Sequence, residues 1–348
     1  MAKPTVCVIA QEPRKTIRLH QMVRTLRKFG YTVVVLMPRF NMRFRPRFLS
    51  ASFRYFGIML QVLFARADVY YVFNNPDIGL PVLFKKGKFI YDVRNPWGAE
   101  VYDLTGQAFA AKICERIELV MTRGADVVVA VNHRLADRAK MWGAKKVFLV
   151  PNYPAVSFKP SVNREEMRDK HGLRGKKVAV FTGNFAEVEC ALDLAQLFPK
   201  VLDKVPNGVL IMIGDGPQKP LIQKYIKENR LEQSIRLISR IPREEVPNWL
   251  AVADAVVVPR KANMRSSPFY CPESIWKVTE ALWIGKPIVG GAVGEFIDTK
   301  LPIKVAPLER FHEAMIEVFE KPPKITPLKE FSWDYSEEQL KKALEALS

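Results

Sequence analysis

A chain of 348 residues with 48% hydrophobic and 26% charged positions has a globular composition and exceeds what one small core usually holds, so two domains are expected. Its longest apolar run, "FGIMLQVLFA" at 56 to 65, is about half of the ~20 residues that span a bilayer, and "MAKPTVCVIAQEP" reads as a first strand rather than a signal peptide, which makes cytoplasmic residence the expectation. The net charge of +18 is uneven: residues 1 to 66 hold thirteen Lys or Arg against one acid, Glu12.

Strand-like runs alternate with helical periodicity along the chain. "TVCVIA" is followed by a helix from about Thr16 to Phe29, then "YTVVVLM", a basic segment, "ADVYYVF", "GKFIYDV", a helix from about Ala108 to Arg123, and "ADVVVAV". After "KKVFLVPNYP" the pattern restarts with "KKVAVFTG", a helix near 189 to 204, "GVLIMIG", a helix near 218 to 229, "IRLISR", a short helix at 243 to 251, "ADAVVVP", a helix within "CPESIWKVTEALWIG" and "KPIVGG". Continuous β-branched strands separated by helices imply parallel sheets covered on both faces. The fold class expected is therefore α/β, with two doubly wound, Rossmann-like parallel-sheet domains facing a cleft. The break falls in the Pro-rich "PNYPAVSFKPSVN", giving domains 1–153 and 154–331 and a C-terminal helix, 332–348, that can cross back to the first domain.

Cys7, Cys114, Cys190 and Cys271 show neither a C-x-x-C pair nor a His at ligand spacing, so no disulfide framework or metal site is expected. No G-x-G-x-x-G follows the first strand, no G-x-x-x-x-G-K-[ST] occurs and no G-x-S-x-G elbow is present, which disfavours dinucleotide enzymes, P-loop NTPases and α/β-hydrolases; no cofactor is implied. Ligands of open parallel sheets bind outside the carboxyl ends of the strands. Glu273, Lys277 and Glu280, at i, i+4 and i+7, are expected on one stripe of a helix that follows the strand "AVVVP", whose N-terminus would favour a phosphate. The bland alternative is a solvated helix face paired along its own length.

With "VFTGN" (180–184), "IMIGDGPQKPLIQKYIKENRL" (211–231), "RIPREEVPNWLAVADAVVVP" (240–259) and "WKVTEALWIGKPIVGG" (276–291) in order, the chain resembles the GT-B glycosyltransferases, above all the retaining, nucleotide-sugar-dependent family 4. The resemblance covers essentially the whole chain and is strongest from 176 to 291. It implies a transferase that moves a sugar from a UDP- or GDP-sugar to a glycan or lipid-linked acceptor; a sugar-nucleotide epimerase of the same fold and a catalytically weak sugar-binding homologue are the alternatives. Glu280 matches the glutamate that meets the donor ribose, Lys277 the lysine of a K-x-x-E variant, and Glu273 and the adjoining Ser274 lie near the family's first glutamate, though six residues separate Glu273 from Glu280 where the family has seven. Gly183 and Asn184 match the loop at the diphosphate, and Gly214 and Asp215 the turn beside the nucleotide.

Where many family members carry an Arg after the glycine and a Lys a few residues later, this sequence has Asn184 and then Glu187, Glu189 and Cys190. Arg260 and Lys277 are the expected substitute cations. In the first domain "YDVRNPW" resembles the family's acceptor-side loop, making Asp92 and Arg94 catalytic candidates, with a structural ion pair as the bland reading. Arg14, Lys15 and Thr16, in the first strand-to-helix loop, are expected on the phosphate or acceptor side. Residues 39–67 interleave six Arg with Phe and Tyr and contain no acid, which suits an anionic membrane surface or single-stranded nucleic acid. Within the implied family the membrane is favoured, so peripheral attachment to the inner face is expected and nucleic acid is not. The bland alternative is a helix that packs its Phe residues inward while its Arg stems snorkel.

Overall fold

The computed structural model describes residues 3–11, 16–37, 47–74 and 76–347, with side chains given from residue 56 onward in the helix Arg47–Phe64. The chain divides into two compact units, Met1–Asn152 with Trp333–Ser348, and Tyr153–Ser332. Each unit holds one six-stranded, wholly parallel sheet.

In the first unit β1 (Thr5–Ile9), β2 (Thr32–Leu36), β3 (Val69–Phe73), β4 (Lys88–Val93), β5 (Val127–Ala130) and β6 (Val147–Leu149) run in the order β2-β1-β3-β4-β5-β6. In the second, β7 (Lys177–Asn184), β8 (Gly208–Asp215), β9 (Ile235–Ile238), β10 (Ala255–Val258), β11 (Ile288–Gly291) and β12 (Ile303–Ala306) run β12-β11-β10-β7-β8-β9. The expected doubly wound architecture is thus present twice. Strand order reverses between β1 and β3 and again between β7 and β10, and at such switch points the flanking loops diverge and leave room for a ligand.

The uninterrupted apolar strands follow from burial on both faces. Along β7, Val178 and Val180 point into a core shared with Leu250 and Val252 of the helix Val246–Val252 and with Val278 and Leu282 of the helix Trp276–Trp283. Their neighbours Ala179 and Phe181 point the other way, onto Leu194 and Phe198 of the helix Ala191–Leu202 and Phe311 and Met315 of the helix Phe311–Glu320. Period-two alternation therefore serves two cores at once.

Several elements exceed the sequence expectation: the helices Trp97–Thr105, His133–Met141, Arg164–Lys170 and Phe311–Glu320 and the strand β12. Two of them begin at side-chain caps, Asn132 accepting from Leu135 N at 2.9 Å and Asn163 from Glu165 N at 2.8 Å. Among the described residues no helix is long and apolar enough to cross a membrane.

The C-terminal helix Trp333–Glu345 places Trp333, Leu340, Ala343 and Leu344 in the core of the first unit with Leu19, Met22 and Leu26. Trp333 Nε1–H donates to Thr25 Oγ1 at 3.0 Å, and Ser336 Oγ–H donates to Pro151 O at 2.9 Å. Trp333→Ala should lower stability by about 3–5 kcal/mol, the range for an emptied aromatic core site. Urea titration followed by circular dichroism reads this, and an unchanged midpoint would contradict the assignment of this helix to the core.

Candidate functional site

The candidate site of the second unit is built at the carboxyl ends of β7 and β10. Gly183 and Gly214 face one another across the β7–β8 register with φ of +150° and +153°. Side chains are disfavoured there, and a Cβ on Gly214 would strike the Gly183 carbonyl while one on Gly183 would lie 2.7 Å from Lys277 Nζ. Only glycine lets these backbones and the lysine approach so closely. Asn184 ends β7 exposed, and Asp215 accepts from Gly216 N at 2.9 Å as the next turn begins.

After β7 the chain makes a single 3-10 turn, Glu187–Glu189, closed by Cys190 at φ +50°. This places Glu189 against two cations from elsewhere in the chain. Arg260, just beyond β10, donates through Nη1 to Glu189 Oε2 at 2.7 Å and through Nη2 to Oε1 at 3.2 Å, and Lys277 Nζ donates to Oε2 as well. Arg260 packs 5.2 Å from the Tyr270 ring centroid, and Lys277 lies 4.4 Å from that of Phe181. Burial alone would raise the Glu189 carboxyl, but Arg260 and Lys277 hold it down at about 2. Burial likewise lowers the Lys277 ammonium, against the pull of Glu189. The expected substitute cations are therefore brought together, yet they are not free, because Glu189 holds both.

The expected stripe of three charges is corrected by the structure. Glu273 lies exposed on a separate 3-10 turn, Pro272–Ser274, and Ile275 is extended (φ −92°, ψ 115°), so the helix begins only at Trp276. Ser274 donates its hydroxyl to Cys271 O at 3.0 Å. Lys277 and Glu280 do share the helix, and both are buried rather than solvated. Glu280 is 2% exposed, and its carboxylate accepts from Arg243. Burial pushes that carboxyl upward while the guanidinium pulls it back. Arg243, absent from the sequence candidates, lies 4.3 Å from the Phe158 centroid and 5.8 Å from that of Trp276. Its signal was its place in "RIPREE", at the mouth of the loop after β9.

In the first unit Asp92, a catalytic candidate, is built into a buried hydrogen-bond network. Asp92 is 0% exposed; Arg18 Nε and Nη2 donate to it at 3.1 and 3.2 Å, and Tyr71 O–H donates at 2.8 Å. Arg18 spends its remaining nitrogen on Val150 O at 2.8 Å and Asn152 Oδ1 at 3.2 Å, so one buried guanidinium ties the first helix to β4 and to the chain leaving β6. The ion pair foreseen as the bland reading is real, but its cation is Arg18, not Arg94.

Arg94 lies 4.9 Å from the Phe73 ring centroid, and its buried Nε has no hydrogen-bond partner among the described residues. Burial and the nearby Arg18 bring its guanidinium down to about 10. The adjoining helix Trp97–Thr105 is started from a distance: Glu118 accepts from Trp97 N and Gly98 N at 3.1 Å each and from Arg138 Nη2 at 2.8 Å. Of the first loop, Arg14 and Lys15 lie outside the described residues, and Thr16 precedes the helix Ile17–Lys28 in an extended conformation.

Residues 163–306 match the model of the family described as Glycosyl transferases group 1. The alpha-monoglucosyldiacylglycerol synthase of Acholeplasma laidlawii is 23% identical over 154 residues, 42% of this chain and 38% of that protein. The chain spans about half the length of the curated relatives it matches. Among solved structures, the sucrose-phosphate synthase of Thermosynechococcus elongatus superposes with a TM-score of 0.78 at 16% identity, covering 99% of both chains. HepE of Anabaena, in complex with UDP and glucose, superposes with a TM-score of 0.74 at 12% identity over 99% of this chain and 100% of that one. The fold is that of the GT-B glycosyltransferases, as the sequence resemblance implied.

One acid beside Arg94 carries a pH dependence. Burial raises the Glu100 carboxyl from 4.5 to about 7, despite the hydrogen bond from Asn95. Between those values the folded protein keeps a proton that the unfolded chain has lost, so this group's contribution to stability falls as pH rises from 4.5 to about 7. Glu100→Gln should flatten that part of the profile. Urea midpoints measured across this window test it, and an identical slope in both proteins would contradict it.

Proposed function

We propose that this chain, whose residues 163–306 fall within the glycosyl transferases group 1 model, transfers a sugar from a UDP- or GDP-sugar to an acceptor with retention of configuration. The observation that carries the reading is the convergence, at the carboxyl ends of β7, β8 and β10, of two glycine backbones, the helix Trp276–Trp283 and the cations Arg260 and Lys277. The backbone N–H groups that open that helix and the bare edge at Gly183 suit a diphosphate. Arg260 and Lys277 would neutralise it as it leaves, and catalysis of this kind works by positioning and charge. Glu280 and Arg243 would address the ribose as a pair, with Glu280 fixing the guanidinium against Phe158 and Trp276. HepE, which shares the fold, was solved with UDP and glucose.

The acceptor is proposed to be lipid-linked and met at an anionic membrane. The Acholeplasma relative is named for a glucosylated diacylglycerol. In the first unit the helix Arg47–Phe64 buries Ile58 and Val62 but leaves Phe56, Leu60, Leu63 and Phe64 exposed, Phe64 by 81%. Phe84, 86% exposed, directly precedes Lys85, whose Nζ donates to Leu63 O at 2.6 Å. Exposed Arg66 and Lys86 flank these rings. Apolar rings with basic neighbours suit interfacial insertion onto negative headgroups. The basic residues 39–46 lie outside the described residues.

Incubation with UDP-, GDP- and ADP-sugars tests the reaction. Turnover only with an acceptor is expected; turnover of the donor alone would make the chain an epimerase, and binding without turnover a sugar-binding homologue. Glu280→Ala should weaken nucleotide binding by about 1–3 kcal/mol, and unchanged affinity in a folded variant would remove Glu280 from the donor site.

Sedimentation with liposomes tests the surface. Binding to anionic vesicles should fall with salt without vanishing, and Phe64→Ser with Phe84→Ser should reduce the salt-resistant part. Equal sedimentation of variant and wild type would reject the docking role.

A further inference from the structure

The two cations placed to receive a diphosphate already hold an anion. Glu189 offers Arg260 two oxygens, at 2.7 Å to Nη1 and 3.2 Å to Nη2, and shares Oε2 with the Lys277 ammonium. That is the geometry in which Arg and Lys grip a phosphate. The lysine also reaches the backbone of Gly183, where a built Cβ would lie 2.7 Å from Nζ and 3.8 Å from Glu189 Oε2. An anion resting on the Gly183 edge would therefore meet the Glu189 carboxylate, and the two would repel.

Glu189 is placed to move. It ends the single turn Glu187–Glu189 rather than standing inside a helix, and the turn is closed by Cys190 in a left-handed conformation that non-glycine residues rarely adopt. Its side chain keeps 20% exposure. Its charge is permanent at working pH, because the two cations hold the carboxyl at about 2 against the effect of burial. An arriving anion, not a proton, is what can release it.

We infer that Glu189 is a resident carboxylate occupying the phosphate position, and that a nucleoside diphosphate binds by displacing it from Arg260 and Lys277. This rests on the donor reading given above. The exchange sets a specificity: a ligand must bring enough negative charge to replace the carboxylate, so a free nucleoside or neutral sugar gains nothing from the two cations. In reverse it helps product to leave, because the returning Glu189 competes with the spent diphosphate for the same two side chains.

Calorimetry with UDP, GDP, inorganic pyrophosphate and the free nucleosides tests this on wild type and Glu189→Gln. The amide keeps the shape and removes the charge, so affinity for all three diphosphates should rise about tenfold or more, the scale of a hydrogen bond to a charged group, while nucleoside affinity stays the same. Equal or weaker diphosphate binding by the variant overturns the inference but leaves the donor reading standing. Absence of diphosphate binding by both proteins overturns both. Hydrogen exchange on the wild type gives a second arm that does not need the variant to fold. Glu189 N and Cys190 N donate to Ala186 O at 3.1 Å and Glu187 O at 2.9 Å, and saturating pyrophosphate should reduce protection of residues 186–190. Unchanged or increased protection there, with pyrophosphate bound, overturns the displacement.

Discussion

A carboxylate drawn under the carboxyl edge of a parallel sheet has to be neutralised, and in the second unit that need fixes the geometry of the site. Glu189 comes from the loop after β7, Arg260 from the loop after β10 and Lys277 from the helix beyond it, so one ion cluster ties together the segments that diverge at the switch point. Removing one partner of such a buried group costs far more than the pair contributes in net stability, because it leaves an uncompensated charge. The cluster therefore holds the glycine edge and the helix N-terminus in register while keeping two cations charged and oriented. The first unit solves a parallel problem with Arg18, whose buried guanidinium joins Asp92, Val150 and Asn152.

The contrast between these two clusters separates structure from candidate function. Arg18 and Asp92 are sealed in the interior, with complementary partners around them. Lys277 lies against the bare Gly183 backbone, and Glu189, which it shares with Arg260, keeps part of its surface in solvent. A closed ion pair fixes a fold, whereas one that borders an open backbone edge can be exchanged for an external anion.

Every strand but β12 was legible in the sequence because a strand buried on both faces must be apolar throughout, as "VAVF" and "VLIMI" are, whereas β12 at the sheet edge is only partly buried. The short polar helices were not legible, since their starts depend on groups remote in sequence: Glu118 begins the helix at Trp97 from 21 residues away. The helix at Trp276 starts later than its periodicity suggested because Ile275 is extended, a local choice that heptad-like spacing does not encode. The residues of the candidate site were foreseen by type but not by partner. Glu189 and Arg260 stand 71 positions apart, and Arg243 and Glu280 37 apart, so a list of charged residues gave no means of matching them. Asp92, near the end of β4, and Arg94, two residues on, invited a pairing that the buried Arg18 takes instead.

We propose that the second unit holds a donor diphosphate at the edge formed by Gly183, Arg260 and Lys277. A crystal structure of the full chain with UDP or GDP bound tests it most directly. Phosphate density is expected against the Gly183 backbone and the start of the helix Trp276–Trp283, with Arg260 and Lys277 turned onto the phosphates and the ribose beside Glu280 and Arg243. Nucleotide density on the first unit, or elsewhere on the second unit with the Glu189 cluster intact and unliganded, would contradict it.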